Sequence, residues 1–438
     1  MARVLIWKAG LNDGSQNEMP SLGMGILARS VKMEGHEVTV WDGHLMGQRR
    51  MFAHEPQILC VSAVSQEGNK VPQLLSRPYT ILGGPHAYSY WDKIDSPDID
   101  KIVVGEADGK FNEILSSNDK VLFLGNRTTD ELLAPDYSDF YGKESMKGYS
   151  TYISRGCTGA CSFCQSGKAH GRWRKRNADS IHAEFEEIKQ YPNVTTIHLI
   201  DDAFSANIEH AKGFLEFYLS HGYKYKLNIF NVRADQLDRE MLDMMKRAGV
   251  VNLPIGVESA DPIVYKGVGK GESLDDIKDG IRLIQEAGIV PWLNMIIGLP
   301  NDTYERTLNS IGWVETIPGP KIVHWFVYSP FRGTRAYKHL VDCGVIPDGY
   351  IPPPYGRRYD NLPWESDFET PDFTFEDRRK AHLLAYLRTG SPILVNSDIL
   401  KDVLKYNLKE EYIQWLNKAP LNDYIENQLP NKIEKEQV

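Results

Sequence analysis

Three cysteines, Cys157, Cys161 and Cys164, lie close together in the segment SRGCTGACSFC. Closely spaced thiolates are the usual ligands of a 4Fe–4S cube. Three thiolates bind three irons and leave the fourth iron open to a small molecule, as the open position of a catalytic zinc accepts a substrate. The spacing C-x3-C-x2-C therefore predicts one 4Fe–4S cluster on these three residues.

The alternative interpretation is that the same cysteines bind a zinc ion. A structural zinc site takes four ligands and usually a second Cys or His pair. His170, six residues after Cys164, could supply the fourth ligand. The spacing favours the cluster, and the zinc reading would make the chain a binding protein without catalysis.

The two other cysteines are too few for a second cluster, which needs about three more thiolates. Cys60 lies in an apolar strand pattern, and we expect it to be buried and inert. Cys343 lies in HLVDCGVI, where we expect packing at a helix end, with a catalytic thiol as the alternative.

Composition narrows the class of protein. The 438 residues allow two or three domains, and 42% hydrophobic with 25% charged residues is an ordinary balance for a soluble protein. A net charge of −9 argues against general binding to nucleic acid or anionic membranes. No apolar run approaches the roughly 20 residues of a membrane span, and MARVLIWKAG lacks a signal-peptide pattern. We expect a cytoplasmic protein.

The hydrophobic pattern predicts an α/β protein in three parts. Residues 1–140 alternate short strands with helices, as in a Rossmann-like doubly wound domain with a parallel sheet. Residues 141–345 contain six strand patterns separated by helical patterns, which predicts a partial (β/α)6 barrel of the TIM type. Residues 346–438 are predicted to form a small, mostly helical region. The stretch RTTDELLAPDYSDFYGKESMKG between the first two parts is expected to be a linker.

The barrel part resembles the radical S-adenosylmethionine (SAM) superfamily. The cysteine motif with an aromatic residue before the last cysteine is followed, in family order, by LIDDAFS, NVRADQL, IGVESADPIVYKGVGKG, MIIGLPNDTYE and YSPFRGTRAY. The resemblance covers about residues 150–340. It implies that the open iron binds SAM, and that an electron from the cluster cleaves SAM to a 5′-deoxyadenosyl radical.

The resemblance also implies roles for individual residues. Phe163 would contact adenine, and Asn294 would border adenine and ribose. Arg233 would face the SAM carboxylate, with a salt bridge at the barrel rim as the alternative. Glu258 would accept hydrogen bonds from the ribose hydroxyls or from the amino group of SAM.

Asp201 and Asp202 lie where the family's segment for the SAM amino group ends. In this chain IDDAF stands where the family has a glycine-rich motif. A helix N-cap is the alternative role for Asp201, because Asp favours that position.

The first part resembles the cobalamin-binding domain that precedes many radical SAM domains, through SLGMGILARSVKMEGHEVTVWD, PQILCVSAVS, YTILGGPHA and IDKIVVGEAD. The residues that would line the cleft for the nucleotide tail of cobalamin are Ser62, Gly83, Gly84 and Gly105. His44 fits the pattern D-x-H-x-x-G of cobalt-ligating histidines, but it follows the second strand and not the first, so we expect a surface histidine there.

Together the two resemblances imply a cobalamin-dependent radical SAM methyltransferase that methylates an unactivated carbon. The alternative is a radical SAM enzyme without cobalamin, for rearrangement, elimination or epimerisation. Methylthiotransferases are disfavoured, because they carry three cysteines in the N-terminal domain. The implied partners are a small-molecule or peptide substrate and an electron donor such as flavodoxin or ferredoxin.

The run KAHGRWRKR, at residues 168–176, follows the cysteines and holds five Lys or Arg residues. We expect these Lys and Arg residues to form a solvated basic face. The alternative is that they bind an anionic substrate or the electron donor. Arg174 and Arg176 resemble an arginine pair that recurs in the family before the first barrel helix.

Overall fold

The computed structural model describes residues 1–8, 19–43, 55–63, 76–125, 132–352, 368–391 and 397–418. Within them lie a parallel N-terminal sheet, a partial barrel and a C-terminal group of helices, which confirms the predicted fold class. His44 lies outside the described residues. No helix among the described residues is long and apolar enough to cross a bilayer.

The N-terminal sheet has the order β2-β1-β3-β4-β5-β6 in the described residues, and every pair is parallel. Its strands are β1 (Arg3–Lys8), β2 (Glu37–Asp42), β3 (Ile58–Ser62), β4 (Tyr79–Gly83), β5 (Lys101–Val104) and β6 (Val121–Phe123). Its helices are α1 (Leu22–Met33), α2 (Pro85–Tyr90) and α3 (Phe111–Ser116). The sequence predicted the first five strands. The sixth has only three residues, too few for a period-2 pattern.

The described part of the stretch expected to be a linker, residues 132–148, is packed between the N-terminal sheet and the barrel. Tyr137 and Phe140 are buried, and the Tyr137 hydroxyl donates to the carbonyl of Ser150 at 2.7 Å. Phe140 also forms a parallel bridge with Val40 of β2. One continuous apolar core therefore joins the two parts of the chain.

The barrel contains all six predicted strands, and every neighbouring pair within its two sheets is parallel. Its elements are β7 (Gly148–Thr151), β8 (Ser154–Arg155), β9 (Arg174–Lys175), β10 (Thr196–Leu199), β11 (Lys226–Ile229), β12 (Asn252–Glu258), β13 (Val290–Ile297) and β14 (Ile322–Val327). Strands β7, β10 and β11 form one sheet and β12 to β14 the other, and a bridge between Val232 and Ile255 connects them. The short β8 and β9 form a separate antiparallel ribbon.

Helices cover the outside of the barrel through apolar faces. They are α5 (Ala178–Ile188), α6 (Ile208–Ser220), α7 (Arg239–Arg247), α8 (Pro262–Val268), α9 (Leu274–Glu286), α10 (Tyr304–Glu315) and α11 (Arg335–Asp342). The short α4 (Ser166–Ala169) lies between β8 and β9 and has no buried residue. The face of α5 formed by Ile181, Phe185 and Ile188 is buried. A capping box of Ser273 and Asp276 begins α9.

The C-terminal helices close the open side of the barrel. They are α12 (Phe375–Thr389), α13 (Ser397–Lys405) and α14 (Lys409–Lys418). The edge strand β14 has backbone groups that need partners, and α12 provides them. The Trp325 carbonyl lies 2.7 Å from His382 Nε2 and 3.3 Å from the Tyr386 hydroxyl, and the Ser391 hydroxyl donates to the Val323 carbonyl at 2.7 Å.

Candidate active site

The three clustered cysteines lie on the loop between β8 and β9. Cys157 and Cys161 are partly buried, and Cys164 is exposed. The Gly159 amide donates to Cys157 Sγ at 3.2 Å, and the Ser166 amide donates to Cys164 Sγ at 3.4 Å. A Cβ on Gly159 would lie 3.3 Å from Cys157 Sγ and 4.0 Å from Cys161 Sγ, so both sulfurs approach this glycine. The loop thus gathers soft thiol ligands and supplies amide donors to two of them.

The buried position of two thiols affects how they would take up iron. Burial raises the pKa of Cys157 and raises the pKa of Cys161 to about 11. Thiolates and not thiols bind metal, so iron must displace a proton from each. The donor set of three thiols fits a 4Fe–4S cluster, in which each of three irons takes one cysteine.

The candidate fourth ligand of the zinc reading, His170, is engaged elsewhere. Its Nδ1 lies 2.8 Å from Asp202 Oδ2. Among the described residues, no three or more His, Cys, Asp or Glu side chains converge closely enough to hold one metal ion.

The two aspartates after β10 bind the chain that leads into the cysteine loop. Asp201 is fully buried, and its carboxylate accepts from the Ser154 amide and the Ser154 hydroxyl, each at 2.6 Å, and from the Ile153 amide at 3.2 Å. Asp201 is therefore not a helix N-cap, and its buried carboxylate is not accessible to a ligand. Asp202 accepts from the Gly156 amide at 2.8 Å. Both carboxylates therefore hold the start of the cysteine loop, a role that their place after a strand did not reveal.

Glu258 ends β12 at a bulge, in the left-handed conformation with φ of 68°. Its Oε1 lies 3.5 Å from Lys270 Nζ, which also lies 2.9 Å from Glu272 Oε1. Burial raises the pKa of Glu258, although the Lys270 ammonium opposes this shift. A Cβ on Gly256 would lie 2.1 Å from the Glu258 carboxylate, so only glycine leaves room for this pair.

Lys270 was missed by the sequence reasoning, although it is buried between two acidic residues. The available signal was its position in GKGE, a lysine flanked by glycines. Arg233 lies nearby, since its Nη1 donates to the Lys270 carbonyl at 2.8 Å. The same guanidinium bonds Asp235 at 3.0 and 2.7 Å, so the salt bridge expected as the alternative for Arg233 is present.

Phe163 and Asn294 lie in different surroundings. Phe163 packs against the apolar cluster that contains Val264, Leu299 and Tyr328. Asn294 lies in the middle of β13, next to Gly256 of β12 and His324 of β14. Their contacts with SAM stay predictions.

At the carboxyl edge of the N-terminal sheet, Ser62 of β3 is paired with Gly83 of β4. Gly84 has φ of 86°, and a Cβ there would lie 3.0 Å from the Ala63 carbonyl, whereas a Cβ on Gly83 would meet none of the described residues within 4 Å. Gly105 has φ of 115°, and a Cβ there would lie 2.1 Å from the Leu124 carbonyl. Small residues thus leave open backbone at this edge, where parallel sheets commonly bind ligands.

The basic run is not the solvated face that we expected. Arg176 has no exposed surface, and it pairs with the equally buried Glu184. Arg174 is mostly buried and bonds Glu106 of the N-terminal part at 2.9 Å. Lys168, Arg172 and Lys175 remain exposed, so only part of the run is solvated.

The two remaining cysteines differ in exposure. Cys60 is buried as predicted, and burial raises the pKa of its thiol to about 12. Cys343 lies at the end of α11, but it is exposed and not packed, with Sγ 3.8 Å from His339 Nε2.

Comparisons with known proteins agree with this geometry. Residues 151–314 match the family model of the Radical SAM superfamily. A protein of Pyrococcus horikoshii, named as an uncharacterized methyltransferase, is 22% identical over 371 residues, which are 75% of this chain and 80% of that protein.

Two solved structures share the fold. The cobalamin-dependent SAM radical enzyme OxsB, with aqua-cobalamin and SAM bound, covers 95% of this chain and 72% of its own at a TM-score of 0.67 and 14% identity. The radical SAM methyltransferase TsrM of Kitasatospora setae, with cobalamin and a [4Fe-4S] cluster bound, covers 78% of each chain at a TM-score of 0.60 and 16% identity.

The partial barrel and its cysteine loop, with the family match, define a radical SAM domain. Over residues 151–314 the chain therefore matches the radical SAM superfamily, and the protein is an enzyme. The superfamily implies a 4Fe–4S cluster and SAM as its cofactors.

Proposed function

We propose that this enzyme methylates an unactivated carbon of its substrate with the help of cobalamin. The observation that carries the proposal is that the carboxyl edge of the N-terminal sheet adjoins the cysteine loop. Gln165, next to Cys164, donates to the Ser89 hydroxyl at 2.8 Å, and Arg174 bonds Glu106 just after β5. The relatives named as methyltransferases and the shared fold of OxsB and TsrM support the same reading.

When bound, the cluster and SAM supply a 5′-deoxyadenosyl radical that takes hydrogen from the substrate carbon, and cobalamin supplies the methyl group. Cys157, Cys161 and Cys164 would hold the cluster. Arg233 and Glu258 would bind the charged groups and hydroxyls of SAM, because charge-assisted hydrogen bonds suit these groups. Phe163 would offer an apolar surface to adenine.

Ser62, Gly83, Gly84 and Gly105 would line the cleft for the nucleotide tail of cobalamin. A corrinoid on this edge would lie between the N-terminal sheet and the cysteine loop. A substrate enclosed there would meet the methyl donor on one side and the radical on the other, away from water.

We also propose that an acidic electron donor such as flavodoxin or ferredoxin approaches the exposed side of the cysteine loop. Cys164 is exposed, and two exposed cations belong to the loop or bind it: Lys168 lies four residues after Cys164, and Arg335 is bonded to the Ala160 carbonyl. A cationic rim attracts an anionic partner and increases its association rate. Five free thiols fit the reducing cytoplasm.

Anaerobic purification and reconstitution with iron, sulfide and hydroxocobalamin test the proposal. We expect bound iron, corrinoid absorption that stays with the protein through gel filtration, and 5′-deoxyadenosine formed from SAM under reducing conditions. Iron and 5′-deoxyadenosine without retained corrinoid would contradict the methyltransferase proposal. That result would favour hydrogen abstraction without cobalamin.

A further inference from the structure

The cysteine loop begins and ends at the two-residue ribbon of β8 and β9, in which Arg155 lies directly opposite Arg174. Like charges at directly opposed positions of an antiparallel pair destabilise it. Both side chains are also largely buried, with 11% of each exposed. The base of the loop therefore needs negative charge from elsewhere in the chain.

That charge comes from the N-terminal sheet. Glu106 and Asp108 follow β5, and both are buried. Asp108 Oδ2 lies 2.7 Å from Arg155 Nη1. Glu106 Oε2 accepts from Arg174 Nη1 at 2.9 Å, and its Oε1 lies 3.6 Å from Arg155 Nη1. Two carboxylates of one part of the chain thus neutralise two guanidinium groups of the other.

The same contacts continue into the cysteine loop. Arg174 donates to the His170 carbonyl at 2.8 Å, His170 Nδ1 lies 2.8 Å from Asp202, and Asp202 accepts from the amide of Gly156, directly before Cys157. Hydrogen bonds therefore connect Glu106 to residues just before the first cysteine and after the last.

We propose that Glu106 and Asp108 are positioning residues for the cysteine loop, so that the N-terminal part completes the cluster site of the barrel. Gly105 fixes their direction, because no side chain fits against the Leu124 carbonyl at this turn. The inference rests on the proposed cluster at Cys157, Cys161 and Cys164. Glu106 and Asp108 act on it through the arginine pair and touch neither iron nor SAM.

The test compares Glu106→Gln and Asp108→Asn with wild type after anaerobic reconstitution. Each variant keeps the shape of its side chain but removes the charge, which leaves a buried guanidinium without its full counter-charge. We expect a chelator to remove iron several-fold faster from both variants, and the electron paramagnetic resonance signal of the reduced cluster to change on adding SAM differently from wild type. Circular dichroism checks that the fold is retained.

The matched control is Asp92→Asn, which breaks the ion pair of Asp92 with Arg332, another contact between the N-terminal part and the barrel. It should leave iron release unchanged.

Equal iron release in wild type, Glu106→Gln and Asp108→Asn would overturn the inference while leaving the proposed function intact. Faster release in Asp92→Asn of the same size would also overturn it, because the effect would then be general loosening of the two parts. Wild-type protein that binds no iron would contradict the proposed function and this inference together.

Discussion

At the carboxyl ends of the barrel strands, charged side chains bind one another and the backbone, whereas at the ends of β3 and β4 in the N-terminal sheet the residues are small. Lys270 lies between Glu258 and Glu272, and Asp201 holds the amides before the cysteine loop. Gly83 and Gly84 instead leave backbone accessible.

The difference teaches that the two edges recognise ligands by different means. The barrel offers charge and soft ligands to an ionic molecule and a metal cluster. The N-terminal sheet offers space and backbone to a large flat ligand. Substitutions that remove charge should therefore affect the barrel most, and substitutions that add volume should affect the N-terminal edge most.

The largest effect is expected for the cysteines. Cys157→Ala, Cys161→Ala and Cys164→Ala should each abolish cluster assembly, because two thiolates do not hold the cube. Iron content after anaerobic reconstitution measures this. Cys60→Ser and Cys343→Ser should keep the wild-type iron content, and iron near the wild-type level in any of the three Ala variants would refute the cluster assignment.

At the N-terminal edge, Gly83→Leu should remove corrinoid binding while iron content stays at the wild-type level. A Cβ at Gly83 meets no described residue within 4 Å, so the new side chain should extend into the proposed cleft. The amount of corrinoid retained after gel filtration measures binding. We expect the affinity of Gly83→Leu for the corrinoid to be weaker by about tenfold or more, the equivalent of about 1.4 kcal/mol.

Gly213→Leu on α6 is the matched control, since a Cβ there also has no neighbour within 4 Å in the described part of the chain and lies on the outside of the barrel. It should retain corrinoid. Unchanged corrinoid binding in Gly83→Leu would place the corrinoid away from β4.

A smaller effect is expected for SAM binding. Glu258→Ala and Arg233→Ala should each weaken SAM affinity by roughly 1–3 kcal/mol, the range for a lost hydrogen bond to a charged group. Calorimetry on the reconstituted enzyme measures this, with iron content unchanged. Arg239→Ala and Glu286→Ala break an exposed ion pair outside the barrel and should leave SAM affinity unaltered. Unaltered SAM affinity in both Glu258→Ala and Arg233→Ala would contradict the placement of SAM at the ends of β11 and β12.

The sequence predicted the strands because each barrel strand has enough apolar residues to show its pattern, and it predicted the cysteines because their spacing is local. It did not predict the contacts that cross between distant segments. Arg174 and Glu106 are 68 residues apart, so the basic run read as solvated when part of it is buried. Asp201 was read by its place after a strand, but three-dimensional packing decides that it bonds Ser154.

The smallest predicted effect concerns the acid stability of the barrel interior. His198 of β10 lies next to Asn228 of β11, with Nδ1 3.3 Å from the Asn228 amide nitrogen, and burial lowers the pKa of His198 to about 4. The unfolded chain has the ordinary pKa of about 6.5 and binds more protons between these values, so the free energy of unfolding must decrease as pH falls through this window.

His198→Gln cannot take up this proton, and it should reduce the loss of unfolding free energy between pH 7 and pH 5 by about 1–2 kcal/mol. Burial also lowers the pKa of His324, so the double variant with His324→Gln should lose still less. Denaturant unfolding of the protein at the two pH values measures both differences. If wild type and the double variant lost the same unfolding free energy between pH 7 and pH 5, the interior histidines would not cause the acid sensitivity. Charge would then matter to the barrel only at its carboxyl edge.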